Sequence, residues 1–83
     1  MGEEREKNRT NVTIYNQPYT IVGDESSEHI QEVATLIDKK MKELKHHNPY
    51  LDSTKLAVLT AVNIGNDYLS ILKKLEDEKK DED

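Results

Sequence analysis

The feature that most constrains this chain is a run of nine residues, 56–64, that is apolar almost all the way round a helix. The run reads Leu-Ala-Val-Leu-Thr-Ala-Val-Asn-Ile and lies in the second half of an 83-residue sequence. A helix with apolar residues on nearly every side has to be buried on several sides. Either the rest of this short chain covers it, or another chain does.

The flanking residues place the ends of this helix. Asp52 suits the N-cap position, with Leu51 before it and Leu56 one turn inside the helix as an apolar staple. The helix is expected to run from about residue 53 to about residue 79. At 1.5 Å per residue it would be about 40 Å long. That length exceeds what the remaining residues can cover.

Two overlapping patterns on this helix predict a contact with another helix. Small residues recur every four positions at Ala57, Ala61 and Gly65, which leaves room for a neighbouring backbone. A second set of residues on this helix follows in alternating steps of three and four, which is a heptad seam. The seam consists of Val58, Ala61, Gly65, Tyr68, Leu72 and Leu75. A straight helix of this length cannot fold back on itself, so we expect self-association, most simply a two-fold dimer. The predicted oligomer interface comprises Ala57, Val58, Ala61, Ile64, Gly65, Tyr68, Leu72 and Leu75.

Upstream of the long helix, the pattern predicts a β-hairpin followed by one amphipathic helix. Residues 11–15 and 19–22 alternate with period two and are rich in β-branched side chains, which is typical of strands. Asn16 tolerates a left-handed backbone and suits the turn between them. The first helix opens near residues 24–27 and ends before Pro49. Its apolar stripe consists of Ile30, Val33, Ala34, Ile37, Met41 and Leu44.

These elements define the predicted organisation. The fold class is α+β, a short β-hairpin followed by two helices (ββαα), the second long and forming a dimer or short coiled-coil interface. We expect residues 1–10 to form a disordered leader because they are charged and nearly free of apolar side chains. Residues 11–51 form the ββα head. Residues 52–83 form the oligomerisation helix, with a charged, frayed end.

The composition of the chain argues against several classes of binding site and catalytic function. The chain has no cysteine and a net charge of −5, which excludes disulfides and thiolate metal sites and argues against nucleic acid or anionic membrane as partner. No apolar run is long enough to cross a bilayer. We find no nucleophile paired with a base, no phosphate loop and no metal spacing, so we predict no enzyme, no cofactor and no metal. Two sets of polar residues are expected to have no chemical role. Solvent-exposed side chains are expected at His29, His46 and His47, and acids that stabilise a helix start are expected at Asp24, Glu25 and Glu28.

A basic cluster near the end of the first helix leaves two interpretations open. Lys39, Lys40, Lys42 and Lys45 make a positive patch on an acidic protein. The patch could dock an acidic partner surface, because complementary charge steers encounter. Equally, it could be a solvated face that complements the helix dipole. Asn63 also has two interpretations: it could be buried and set the register of the paired helices, or it could be solvated. For Asn66 and Asp67 we favour solvent exposure.

Specific stretches of the sequence resemble the ZapA family of bacterial cell-division proteins. One is the segment Val-Thr-Ile-Tyr-Asn-Gln-Pro-Tyr-Thr-Ile-Val-Gly at residues 12–23, and another is His-Ile-Gln at residues 29–31. The most specific is Asn-Pro-Tyr-Leu-Asp at residues 48–52, followed by the apolar run at 56–64. The resemblance covers roughly residues 11–72.

The resemblance implies a non-catalytic, cytoplasmic dimer that binds FtsZ polymers at the division septum and promotes their bundling. Longer family members join two dimers into a tetramer; because this chain ends soon after Leu75, the dimer is expected first. By position Lys45 matches a basic family residue and Lys42 lies close by, so both are candidate partner-binding residues. Gln17 and Thr20 occupy positions where the family can be basic, which weakens a strand-side contribution.

Two other functions remain open on the residues alone. One is a dimeric regulator of another cytosolic protein, which the charged leader would suit. The other is a small nucleic-acid-binding dimer with strands paired across subunits. The absence of Lys and Arg from residues 11–15 counts against the latter, because base readout needs such donors.

Overall fold

The computed structural model describes residues 7–80 and has the predicted ββαα order. Strand β1 spans Asn8–Ile14 and strand β2 spans Gln17–Gly23. Helix α1 spans Ser27–His47 and helix α2 spans Ser53–Lys80. The predicted α+β fold class is confirmed. Most of the expected leader, residues 1–6, and the expected frayed end, residues 81–83, lie outside the described residues.

The first strand begins earlier than the sequence suggested. Asn8, Arg9 and Thr10 belong to β1, so the prediction that the leader continues to residue 10 is wrong at its end. Thr10 is only 4% exposed, and its hydroxyl lies 2.9 Å from the hydroxyl of Ser27. The Asn8 side chain donates to the carbonyl oxygen of Glu25 at 2.8 Å. Polar side chains therefore fix this end of the strand to the start of α1.

The two strands are joined by a tight turn. Tyr15 and Asn16 have φ angles of 51° and 66°, as in the type I′ turn whose twist matches that of a β-hairpin. The left-handed backbone expected at Asn16 is confirmed, whereas the placement of Tyr15 in the strand is wrong. The Tyr15 N–H donates to Asp38 Oδ1 at 2.7 Å, so α1 helps to hold the turn.

The two halves of the hairpin are covered unequally. The strands pair in register from Asn8↔Gly23 to Ile14↔Gln17, which places Val12 beside Tyr19 on one face. Helix α1 packs over β1. Val12 is 4% exposed, whereas Tyr19 is 49% exposed. The inner face of the hairpin is thus buried along β1 and open along β2.

Side chains cap both helices at the expected places. The Ser26 hydroxyl accepts from the His29 N–H at 3.1 Å and begins α1. Asp52 Oδ1 accepts from the Lys55 N–H at 2.8 Å, which confirms Asp52 as the cap of α2. At the end of α1 the Asn48 N–H donates to the Leu44 carbonyl at 2.9 Å. Each helix therefore begins with an acceptor for its free N–H groups.

The apolar core of the described chain is small. Its buried members are Val12, Ala34, Met41 and Leu56, of which only Leu56 is fully buried. The molecule is a slab with principal extents of 48 × 45 × 18 Å. A slab this thin has room for one layer of buried side chains between its elements, and many apolar residues stay at its surface.

Candidate interaction surfaces

An apolar groove runs between α1 and the first half of α2. Its α1 wall includes Ile37 and Met41, and Thr60 lies on its α2 side. The groove has a volume of about 480 Å³. The structure brings most of the predicted oligomer interface together on the α2 wall, namely Ala57, Ala61, Ile64, Gly65 and Tyr68. We call this surface the helix groove.

The remaining predicted interface residues do not line the helix groove. Val58 is 58% exposed and does not line it. Leu72 and Leu75 lie further along α2, in a shallow depression that they share with charged residues near the helix end. Because α2 is one unbroken helix, Leu72 and Leu75 continue the apolar stripe of the helix groove toward the end of α2.

Among residues 7–80, the space beside Gly65 on α2 is empty. A Cβ atom built on Gly65 meets no other atom within 4 Å, apart from its own helix. Ala57 and Ala61, on the same side of α2, are also exposed. Small side chains here do not relieve crowding among the described residues, so their size matters only for a neighbour from outside the chain.

A second groove adjoins the first and was not predicted from the sequence. Tyr19 and Ile21 of β2 line it together with Ile14, Met41 and Ala57. The signal was available, because the period-two alternation of β2 places Tyr19 and Ile21 on the same face as Val12. We call this surface the hairpin groove. On α2, the exposed Val62 and Leu69 were also missed.

Lys42 of the basic cluster contacts its own chain. Its Nζ lies 3.0 Å from Asp38 Oδ2, while Asp38 Oδ1 accepts the Tyr15 N–H. The hydrogen bond from Tyr15, followed by that from Lys42, holds the pKa of the Asp38 carboxyl below its usual value. Asp38 therefore links the hairpin turn to α1, although the Lys42 side chain remains 58% exposed.

Lys45 also contacts its own chain, through two hydrogen bonds. Its Nζ donates to the carbonyl oxygens of Pro49 and Leu51, at 2.9 and 2.8 Å. Both carbonyls belong to the connection between α1 and α2, and Lys45 itself is half-buried. The ammonium group thus holds that connection in place, which the sequence did not reveal.

The other polar residues singled out in the sequence do not converge on a chemical site. The His46 and His47 rings lie edge to face with centroids 5.6 Å apart. Within residues 7–80 no group of three or more His, Cys, Asp or Glu side chains is placed to hold a metal. Asn63 donates to the Leu59 carbonyl of its own helix at 3.2 Å, and Asn66 and Asp67 are exposed as expected. No helix in that same range is long and apolar enough to span a bilayer.

Comparison with known proteins settles the family. A family model described as cell division protein ZapA matches residues 10–83. The chain belongs to the ZapA family. The match includes both grooves and the whole of α2, so the resemblance inferred from short stretches is confirmed over nearly the entire sequence.

Individual ZapA relatives support the assignment. The chain is 55% identical to the cell division protein ZapA of Bacillus licheniformis over 71 residues, covering 86% of this chain and 84% of that one. It is 58% identical to that of Halalkalibacterium halodurans over 74 residues, covering 89% and 77%. A solved structure described as a ZapA mutant dimer from Geobacillus stearothermophilus matches with a TM-score of 0.76 and 45% identity, covering 96% of this chain and 93% of that chain.

Proposed function

We propose that this chain is a non-enzymatic cell-division adaptor that binds FtsZ polymers as a homodimer and bundles them at the division septum. The observation that carries the proposal is the open helix groove in a member of the ZapA family. An adaptor of this kind needs two docking sites held together, and not a catalytic centre. The groove supplies the means of joining two chains.

The helix groove is suited to α2 of a second copy. Its lining is apolar, and Ala57, Ala61 and Gly65 allow a backbone to approach closely. The buried core is too small to account for the amount of apolar surface on α2. Exposed apolar surface of this extent marks an interface. The similar solved structure described as a ZapA dimer agrees with this assignment.

Self-association would convert one docking site into two. A dimer with one filament-binding surface per chain links two polymers, because the second contact becomes intramolecular at a high effective concentration. Weak single contacts then suffice for bundling. Leu72 and Leu75 leave apolar surface beyond the helix groove, which would serve a further association of two dimers.

For the filament contact we propose Lys42 as the direct participant and Lys45 as its support. Lys42 keeps an exposed ammonium group beside the hairpin turn. Lys45 instead fixes the adjoining connection through two carbonyl oxygens. A filament surface that carries acidic side chains would be attracted to this region.

Co-sedimentation with FtsZ polymers tests the function. We expect the protein to pellet with FtsZ assembled in the presence of GTP, to increase light scattering, and to do so less at high salt. Lys42→Glu should weaken pelleting several-fold without changing the solution mass. Lys73→Glu makes the same charge change on the exposed surface of α2 and serves as the control. Absence of co-sedimentation at low salt would overturn the proposal.

Localisation provides a separate test in cells. A fluorescent fusion should form a band at midcell that coincides with the FtsZ ring. The band should disperse when FtsZ assembly is inhibited. A fusion that stays diffuse while the ring is intact would contradict the proposed site of action.

A further inference from the structure

We infer that Tyr50 is the aromatic anchor through which the head binds an apolar pocket on the FtsZ polymer. The inference rests on the proposed function and adds an uncharged contact to the one assigned to Lys42. It starts from a single ring on the connection between α1 and α2. Tyr50 is 99% exposed, more than any other large apolar side chain among the described residues.

The backbone of the connection directs the Tyr50 side chain outward. Pro49 and Leu51 lie on either side of it, and both of their carbonyl oxygens accept from Lys45 Nζ. These carbonyls therefore face α1. Leu51 is half-buried, whereas the side chain of Tyr50 between them extends into solvent. The exposure of the ring is thus a consequence of the hydrogen bonds made by its neighbours.

The connection also holds the ring in a defined position. The Leu51 N–H donates to the Asn48 carbonyl at 3.1 Å, and the Asn48 N–H closes the end of α1. Pro49 fixes a further backbone dihedral. A tyrosine side chain has only two rotatable bonds, so it offers a large contact area at low cost in conformational entropy. A ring presented in this way is preorganised for binding.

The surface assigned to a second copy does not include this ring. Tyr50 lines neither the helix groove nor the hairpin groove. Self-association through the helix groove therefore gives no reason for the ring to be covered. A two-fold pair would carry two such rings, one on each head. That number matches the two filament contacts that bundling requires.

The charges around the ring determine which kind of pocket it fits. Lys45 places an ammonium group next to the backbone of Tyr50, and Lys42 lies one turn earlier on the same helix with an exposed side chain. Residues 44–51 contain no acidic side chain. A complementary surface on the polymer is an apolar pocket bordered by carboxylates. Inside it, the phenol hydroxyl needs a polar partner.

The ring and the lysine should contribute to binding in different ways. Tyrosine is enriched among the few interface residues whose truncation weakens binding most. Burial of its ring depends on removal of apolar area from water. The attraction of Lys42 to carboxylates is instead screened by salt. The filament contact should therefore have a part that salt weakens and a part that salt leaves in place.

Tyr50→Ala, compared with Val22→Ala, tests the anchor. Val22 is 49% exposed on β2 and also lines neither groove. We expect Tyr50→Ala to raise the dissociation constant for FtsZ polymers roughly tenfold or more, at low and at high salt. The defect of Lys42→Glu should shrink as salt rises. Val22→Ala should bind like wild type, and Tyr50→Phe should keep most of the affinity. Co-sedimentation titrations with FtsZ assembled in GTP give the constants.

The outcomes separate this inference from the proposed function. If the wild type co-sediments and Tyr50→Ala binds as tightly, the inference fails alone. If the wild type does not co-sediment at low salt, the proposed function fails with it. Solution mass and melting temperature are measured for the same samples. A lower value of either for Tyr50→Ala would overturn the inference, because the ring would then belong to self-association or to the fold.

Fluorescence provides a second measurement at the ring itself. The chain has no tryptophan, so Tyr50→Trp introduces a single indole. Its emission should be that of a water-exposed indole in the dimer and should shift to shorter wavelength when FtsZ polymers are added. The same mixture with wild-type protein is subtracted, and Val22→Trp serves as the unshifted control. A buried indole in the free dimer, or no shift in a mixture that co-sediments, would overturn the inference.

Discussion

The two helices of this protein use their apolar residues in opposite ways. Helix α1 buries Ala34 and Met41 and holds the hairpin and α2 together. Helix α2 buries Leu56 fully but leaves Val58, Val62 and Tyr68 each more than half exposed. The difference shows that α1 serves the fold of one chain, whereas most of the apolar surface of α2 is available to another chain.

The origin of this difference is the width of each apolar surface. Six apolar residues of α1 form one stripe, most of which is buried or half-buried, and only Leu36, 55% exposed, lies outside it. On α2 the side that carries Leu56 and Thr60 meets α1, and the residues next to each of them in sequence face elsewhere. A helix with two apolar sides and one neighbour must expose one of those sides.

The largest effect that this comparison predicts is loss of the dimer in Ala61→Glu. The substitution places a carboxylate in the helix groove, and burying an unpaired charge costs about 3–5 kcal/mol. Asn66→Glu introduces the same charge roughly 140° away around α2 and should remain dimeric. Sedimentation equilibrium measures the mass of both. A dimer of wild-type affinity for Ala61→Glu would remove this residue from the interface.

The next effect concerns the residue of α2 that does belong to the fold of the single chain. Leu56→Ala removes the one fully buried large side chain of the described core, and the cavity should lower the free energy of unfolding by about 3 kcal/mol. Chemical denaturation monitored by circular dichroism gives the change. Leu69→Ala, at an exposed position on the same helix, should cost much less in a sample dilute enough to be monomeric.

A smaller effect is expected from the connection that sets the two helices against each other. Lys45→Met keeps most of the side-chain length but removes both hydrogen bonds to the Pro49 and Leu51 carbonyls. We expect a loss of about 1 kcal/mol in unfolding free energy. Lys39→Met, at an exposed position on the same helix, provides the control. Equal melting temperatures for the two variants would contradict a structural role for Lys45.

The smallest predicted effect is a loss of stability at acid pH from the contact between Asp38 and the hairpin turn. The folded-state pKa of Asp38 is lowered by the Tyr15 N–H and by Lys42, so its stabilising contribution is present above the ordinary value of 3.8. That contribution is lost as the pH falls from there through the lowered pKa. Thermal melts of wild type and Asp38→Asn above and below that pH should converge on the acid side. Parallel pH profiles would show that the contact carries no linked stability.

Local patterns predicted the elements of this fold well because the relevant interactions lie close together in sequence. Asp52 accepts from an N–H three residues away and Ser26 does the same. The apolar spacing of each helix also depends only on neighbouring turns. The order ββαα, the cap of α2 and the left-handed Asn16 could therefore all be derived before the structure was known.

Interactions between distant residues account for what the sequence did not show. Thr10 was not assigned to the strand, because the contact that holds it there is with Ser27, seventeen residues away. Lys45 is an exception, because its partners are only four and six residues away; it looked like a surface cation because no local pattern sets the course of the connection that carries the two carbonyls. The alternation of β2 indicates that Tyr19 and Ile21 share a face, but only the fold shows that α1 covers β1 and leaves this part of the face open. Residue type indicates which groups need partners, and the fold determines which partners they obtain.

The thinness of the molecule, only 18 Å in its shortest dimension, bears on how many copies a cell must maintain. When apolar side chains are buried largely by a second copy of the chain, the fraction of folded protein depends on the protein concentration. Scarce copies spend more time open to proteolysis and are removed sooner, which lowers abundance further. We therefore expect a threshold in the cellular concentration of this protein, below which little of it stays folded.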